Sequence, residues 1–420
     1  MDEYIVGIDI GSSKICAAVG RIDKQDKLQI VGITSVSCTG LKKGTVVNID
    51  STSESIKNCL EQLEEMIDIK ITGAYVSLPG GICELVSSKG VVAISSQDRE
   101  IRSNDIDRVL KAAKIISVPS NKEIIGVIPK QYIIDGYDNI KDPLGMSGIK
   151  LEVDAHIILA QTTIVSNLVK SVNKAGIEVN GIVLEPLAIS EAALKKDEIN
   201  MGTAVVDVGA DKIDISIYKG GNILHTDMIP FGGNIITNDI AICLKIPFSE
   251  AEKIKIKYGS LEKLNGIQQA PIKVNSTYNN FINIEHSILV DIIEARVDEL
   301  LKLIRVKLYE SGYYENIAGI VIVGGGLSLF NGVCDLGRKI FERPVRIGAP
   351  EYVGASNPVY NTAVGIIKDV INTSSFNKIN RNTRASSDAN RTRKVINEKN
   401  QDINEKSVLS KIKGFLADFF

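Results

Sequence analysis

The sequence contains neither G-x-G-x-x-G nor G-x-x-x-x-G-K-[ST], so it offers neither a dinucleotide fingerprint nor a Walker A phosphate loop. Its six cysteines (Cys16, Cys38, Cys59, Cys83, Cys243 and Cys334) include no C-x-x-C pair, and its three histidines are dispersed. That pattern argues against a structural zinc site and for reduced, mostly buried thiols. A net charge of -2 gives no electrostatic case for nucleic acid as a partner. No apolar stretch approaches the roughly 20 residues needed to span a bilayer. The opening run MDEYIVGIDIG has no basic n-region and passes straight into a strand pattern, so it does not read as a signal peptide and the chain is expected to stay in the cytoplasm.

What remains is an ordinary globular composition, 44% apolar and 24% charged over 420 residues, enough for two or three domains. Through residue 371 short β-branched runs alternate with amphipathic helical patterns, which predicts an α/β protein. The stretch 372–404 is different. Between Ser375 and Asn400 seven Lys/Arg stand against two acids, with few large apolar residues; such a segment is expected to be a flexible linker. Apolar residues return at helical spacing over 405–420. Taking 100° per residue from Val408, the side chains of Val408, Leu409, Ile412, Phe415, Leu416, Phe419 and Phe420 share an arc from about -20° to 120°. Lysines flank that face, as in a helix lying on an anionic membrane surface. Docking onto its own domain is the alternative, but a linker of about 30 residues is a poor way to build an intramolecular contact.

An internal repeat organises the folded part. Gly7-Ile8-Asp9-Ile10-Gly11-Ser12-Ser13-Lys14-Ile15 recurs as Val205-Val206-Asp207-Val208-Gly209-Ala210-Asp211-Lys212-Ile213. Both copies read as strand, tight glycine turn and second strand, so the chain is a duplication with two facing hairpins. A turn containing glycine lets backbone N–H groups approach an anion. Ser12 and Ser13 add hydroxyl donors. Asp9 and Asp207 would sit beside phosphates, where a carboxylate is useful if it holds a cation, most naturally Mg²⁺ through water. A third element is the apolar strand Gly319 to Val323 running into Gly324-Gly325-Gly326. The bare backbone there suits a flat base at the start of a helical stretch reaching Ile340.

Phosphate hairpin, phosphate hairpin and glycine-rich turn, in that order, resemble the actin, sugar-kinase and heat-shock-chaperone superfamily. Within it the chain is similar to the FtsA family over nearly its whole length. Lys130-Gln131-Tyr132-Ile133-Ile134-Asp135-Gly136 with Asp142-Pro143-Leu144-Gly145-Met146-Ser147-Gly148 resembles the subdomain that this family inserts. Leu184-Glu185-Pro186-Leu187-Ala188 resembles its interdomain connection, and Phe231 to Ile240 with Ala251 to Gly259 its lid motifs. Pro344 to Gly348 and Asn357-Pro358-Val359-Tyr360 resemble its closing segment.

The resemblance implies two ribonuclease-H-like α/β domains around a nucleotide cleft. The expected division is 1–83 with 163–192 as the first core subdomain, 84–162 as the insertion, 193–230 with 308–371 as the second core subdomain, and 231–307 as a lid. It implies ATP and Mg²⁺ as cofactors. Asp9, Gly11, Ser12, Ser13 and Lys14 would take the β/γ-phosphate side, Asp207 and Gly209 the second loop, and Gly324, Gly325 and Gly326 the adenine. Gly232 and Gly233 would join from the lid, and Glu185 would orient an attacking water. Glu252 and Lys255 lie one helical turn apart; their spacing alone reads as a surface ion pair, and the resemblance assigns them to the ribose.

The implied role is structural: a self-assembling adaptor that tethers FtsZ filaments to the cytoplasmic face of the cell membrane at the division septum. Its partners would be the FtsZ C-terminal tail, further copies of itself, membrane lipid and later division proteins. On the helix predicted over Ile292 to Leu308, Arg296 would be a charge contact for the FtsZ tail. A phosphotransferase reading lacks a second substrate pocket with a catalytic Asp, and chaperones and MreB lack the insertion. One departure stands out. The family's second loop usually reads Asp-Ile-Gly-Gly-Gly-Thr-Thr-Asp, whereas Asp207-Val208-Gly209-Ala210-Asp211-Lys212-Ile213-Asp214 loses two glycines and both threonine hydroxyls and gains an acid and a base. Nucleotide binding is expected to survive this and hydrolysis to be slow.

Overall fold

A computed structural model describes residues 4–23, 25, 27–262, 271–275 and 281–373. The described residues fall into two compact units, one built from the chain up to Ile82 with Ile164–Lys368, the other from Cys83–Thr163 and the described residues beyond Lys368.

The first unit contains the duplication. One five-stranded sheet has the order Glu178–Leu184, Gly73–Leu78, Tyr4–Ile10, Lys14–Ile22, Leu28–Ser37. The other runs Asn222–Ile229, Ile213–Lys219, Thr203–Val208, Gly319–Val323, Val345–Ile347. In each, the first three strands along the chain form an antiparallel meander, and two later strands add in parallel beside the first. This is the duplicated ribonuclease-H-like topology, so the actin-like fold expected from the sequence is present. The crossovers that parallel strands require are supplied by helices. Ile49–Ile67, between the first meander and Gly73–Leu78, starts where the Asn48 side chain accepts the Ser51 N–H at 3.0 Å and ends at Asp68 with φ 53°. Both caps satisfy otherwise orphaned backbone groups.

Three helices, Gly233–Leu244, Phe248–Tyr258 and His286–Glu310, with the small hairpin Ile272–Asn275 and Phe281–Ile284, cover the second sheet. Their apolar faces (Ile236, Ile240, Ile254, Ile293, Val297 and Leu300) merge with Val208, Ile215 and Ile217 of the sheet in one buried core. A helix over 361–373 packs back on the first sheet, with Ile366 against Gly7.

The second unit is an antiparallel sheet in the order Glu84–Ala93, Lys150–Gln161, Lys122–Ile134, Tyr137–Ile140, with the helix Ser103–Ala113 on one face. The approach is close at Gly90, where a Cβ would stand 2.1 Å from the Val109 carbonyl oxygen. Asp135 and Gly136, both at positive φ, make the hairpin turn. The Asp135 carboxylate accepts the N–H groups of Ile149 and Lys150, which lowers its pKa.

Candidate functional site

The two repeat copies close the same turn. Gly11 N–H donates to the Lys14 carbonyl at 3.1 Å, and Gly209 N–H donates to the Lys212 carbonyl at 3.0 Å. Asp9 stands opposite Cys16 in the first hairpin, and Asp207 opposite Asp214 in the second. The glycine turn presses onto the second hairpin. Gly326 N–H donates to the Val208 carbonyl at 2.8 Å. At Gly324 (φ 76°) a Cβ would lie 2.2 Å from Asp207 Oδ1 and 2.6 Å from the Val208 oxygen, so only glycine fits without displacement.

These three elements and the lid wall one cavity, about 1030 Å³ of empty space with its mouth included. Asp9, Gly11, Ser12, Ser13, Lys14, Glu185, Asp207, Gly209, Gly233, Glu252, Lys255, Gly324, Gly325 and Gly326 all line it. Residues separated by hundreds of positions thus converge on one concave space with several polar groups in its lining. Lys14 spans part of it: a Cβ on Gly325 would be 3.8 Å from Lys14 Nζ.

The cavity floor is acidic. Glu185 opens the helix Glu185–Ala193, where Pro186 suits the first turn, and is only 4% exposed. Burial pushes its carboxyl up to about 8, partly countered by Lys212, and pushes Asp207 up to about 7. Burial also raises Asp9, whose Oδ1 accepts the Ser77 hydroxyl at 2.9 Å. Carboxylate oxygens of Glu185, Asp207 and Asp214 lie within 4.8 Å of one another. Two members of this floor, Lys212 and Asp214, stood out in the sequence only as part of the altered second loop. Lys212 Nζ donates to Glu185 Oε2 at 3.1 Å and to Asp214 Oδ2, and Asp214 Oδ1 accepts Gly81 N–H at 3.1 Å. Burial alone would lower the Lys212 pKa, but Asp214, Glu185 and Asp207 outweigh it and the net direction is up. The only earlier signal was the departure from the family's loop at Lys212.

On the lid side, Lys255 Nζ is buried. It pairs with Glu252 Oε2 at 2.6 Å and donates to Thr237 Oγ1 at 2.7 Å and the Gly233 carbonyl at 3.2 Å. The pair is therefore an ion pair and a cavity wall at once. Gly232 is not in the wall. It packs on the second hairpin, where its Cβ would be 2.5 Å from the Gly209 oxygen, while Gly233 and Asn234 donate to the Gly209 and Ala210 carbonyls at 2.8 and 2.9 Å. Pro358 and Val359, noted before only as a closing segment, line the cavity.

One expectation changes. The helix after the glycine turn does not start at the glycines. Turns continue to Gly332 (φ 85°), and the helix is Val333–Phe341, because Leu261 N–H takes the Asn331 carbonyl at 3.0 Å and holds that segment beside Ser260. Arg296 lies outside the cavity, on His286–Glu310, with its guanidinium donating to Asp239 Oδ1 at 3.1 Å and Glu299 Oε2 at 2.5 Å. The expected linker and the tail residues from Val408 to Phe420 fall outside the described residues. Among the described residues no helix is long and apolar enough to cross a membrane.

Comparison with known proteins agrees with this geometry. The family model "Cell division protein FtsA" matches residues 204–365, and "SHS2 domain inserted in FTSA" matches 80–159. FtsA of Pseudomonas aeruginosa is 38% identical over 372 residues, 87% of this chain and 88% of that protein. FtsA of Borreliella burgdorferi is 36% identical over 424 residues, 99% of each. Among solved structures, a PilM–PilN type IV pilus biogenesis complex matches with TM-score 0.59 at 16% identity over 86% of this chain and 97% of that one. MreB5 of Spiroplasma citri bound to ADP matches with TM-score 0.53 at 16% identity over 91% and 98%. The structures speak for the actin-like fold alone. With the sequence relatives spanning both the duplicated core and the inserted unit, the chain belongs to the FtsA family of cell division proteins.

Proposed function

We propose that this chain binds ATP in the cavity, assembles with further copies of itself, and ties FtsZ filaments to the inner face of the cytoplasmic membrane at the division septum, attaching through residues 405–420. The observation that carries the reading is the convergence of two D-x-G turns and a triple-glycine turn on one cavity in a chain of this family. The hairpin turns with Lys14 take the phosphates, Glu252 and Lys255 the ribose, and Gly325 and Gly326 the base. MreB5 of Spiroplasma citri has been solved with ADP and with AMPPNP, which supports a nucleotide in a cavity of this fold.

Turnover is slow in this reading. This reading assigns the orienting of water to Glu185, yet that carboxyl is buried, its affinity for a proton is raised, and its Oε2 accepts from Lys212. The nucleotide then serves as a structural load that sets the assembly state. The amphipathic arc of the tail supplies the attachment, and many tails on one filament multiply a weak contact.

The test is reconstitution on anionic vesicles. FtsZ should co-sediment with vesicles only when the full chain and ATP are present, and removal of 405–420 should abolish this. FtsZ recruitment by the truncated chain, or none by the full chain, contradicts the proposal.

A further inference from the structure

The two hairpins carry lysines at equivalent places, but the lysines are used differently. Lys14 stands in the cavity wall near the glycine turn. Lys212 turns down into the floor. Its stem passes under Gly44, whose Cβ would be 3.3 Å from Lys212 Cε. Its ammonium meets Glu185 Oε2 at 3.1 Å and Asp214 Oδ2. The side chain is thus enclosed, and its charge is placed by packing as well as by attraction.

That position is the one a divalent ion would need. Oxygens of Glu185, Asp207 and Asp214 gathered within 4.8 Å would suit a small dication, which takes carboxylate oxygens at about 2.0–2.6 Å. An ion at such distances would sit against the ammonium with no intervening group, two like charges in a poorly solvated floor. The residues present therefore do not fit a metal held by this cluster.

We propose that Lys212 is a resident cation that takes the place of a divalent metal in the Glu185–Asp207–Asp214 cluster, so that this chain holds nucleotide phosphates without one. Lys212 neutralises part of the floor, and Lys14 and the turn donors face the phosphates from the wall. The inference rests on the nucleotide reading above and narrows it to the metal-free nucleotide.

The experiment measures ATP binding to the full chain by calorimetry in EDTA and again in Mg²⁺. It also measures Mn²⁺ uptake without nucleotide by electron paramagnetic resonance, for the parent and Lys212→Gln. The expected result is an ATP affinity in EDTA within about threefold of that in Mg²⁺, a difference of under about 1 kcal/mol. The parent should take up no Mn²⁺, and Lys212→Gln should gain one Mn²⁺ site. ATP binding that falls about a hundredfold or more in EDTA overturns the proposal. So does Mn²⁺ uptake by the parent that Asp207→Asn removes, and so does a folded Lys212→Gln that takes up none. Should Lys212→Gln fail to fold, the parent measurements decide alone. ATP binding in neither condition overturns the nucleotide reading itself, and this inference with it; binding in Mg²⁺ alone overturns only the inference.

Discussion

Replacing Gly324 by alanine should damage both stability and binding, whereas the same change at Gly325 should damage binding alone. Gly324 sits at φ 76°, where a Cβ costs about 1–2 kcal/mol in backbone strain. Its new methyl would also lie 2.2 Å from Asp207 Oδ1 and 2.6 Å from the Val208 oxygen. The carboxylate can rotate away but the backbone carbonyl cannot, so relief needs a shift of the strand end, an overpacking cost of about 1–3 kcal/mol. Together these give about 2–5 kcal/mol, a fall in Tm of about 3–8 °C for a unit of this size. Displacing Asp207 also spoils the phosphate side, and ATP affinity should fall at least about tenfold. At Gly325 the nearest neighbours of a Cβ are Val359 Cγ1 at 3.1 Å and Lys14 Nζ at 3.8 Å, and φ is not positive. A methyl group is tolerated there by the fold but stands where the base would lie. Differential scanning calorimetry and ATP titration on both variants separate the two effects. If Gly324→Ala melts with the parent, the steric argument is wrong; if Gly325→Ala binds ATP like the parent, the base does not lie on that turn.

Three further outcomes follow from other parts of the molecule. Arg296→Ala should weaken binding of an FtsZ tail peptide in fluorescence anisotropy, and the double change Asp239→Ala with Glu299→Ala, which removes both acids on the Arg296 guanidinium, should strengthen it; equal affinities across the set would remove Arg296 from the contact. His156 is buried in the inserted unit, and burial, with Lys130 adding, lowers its pKa below 6.5; a group with a depressed folded pKa loses its contribution as pH falls through that range, so hydrogen-exchange protection of Lys150–Gln161 should drop from pH 7.5 toward about 5.5, and His156→Gln should flatten the drop. Phe419→Glu places a charge within the apolar arc of the tail and should abolish vesicle co-sedimentation while leaving ATP binding unchanged; the full chain should also bind vesicles more steeply with concentration than a peptide spanning 405–420.

Much of the architecture was legible because it was written twice. Asp9-Ile10-Gly11 and Asp207-Val208-Gly209 announced two equivalent strand–turn–strand units, and both turns close with the same glycine-to-lysine hydrogen bond. The cavity walls followed from those turns and from Gly324 to Gly326. The floor was harder. Nothing in the spacing says that Lys14 stands in the wall while Lys212 turns inward, since that depends on the acids which Leu184-Glu185 and the strand Ile213–Lys219 bring from elsewhere. Gly232 looked like a ligand contact because glycine serves equally for close approach to a ligand and to another turn, and here the neighbour is Gly209. The delayed start of Val333–Phe341 came from a bridge to Ser260, a contact between segments that local glycine content does not report.

The central claim, that the paired hairpins form one nucleotide site, is tested most directly by calorimetric titration of ATP into the full chain and into Asp9→Ala. Asp9 lines the cavity and its Oδ1 accepts the Ser77 hydroxyl at 2.9 Å, so its loss should disturb the phosphate side without touching the base side. Saturable binding of one ATP per chain, weakened well beyond twofold in Asp9→Ala, is the predicted result; equal affinity in the two proteins, or no binding by the parent, would contradict it.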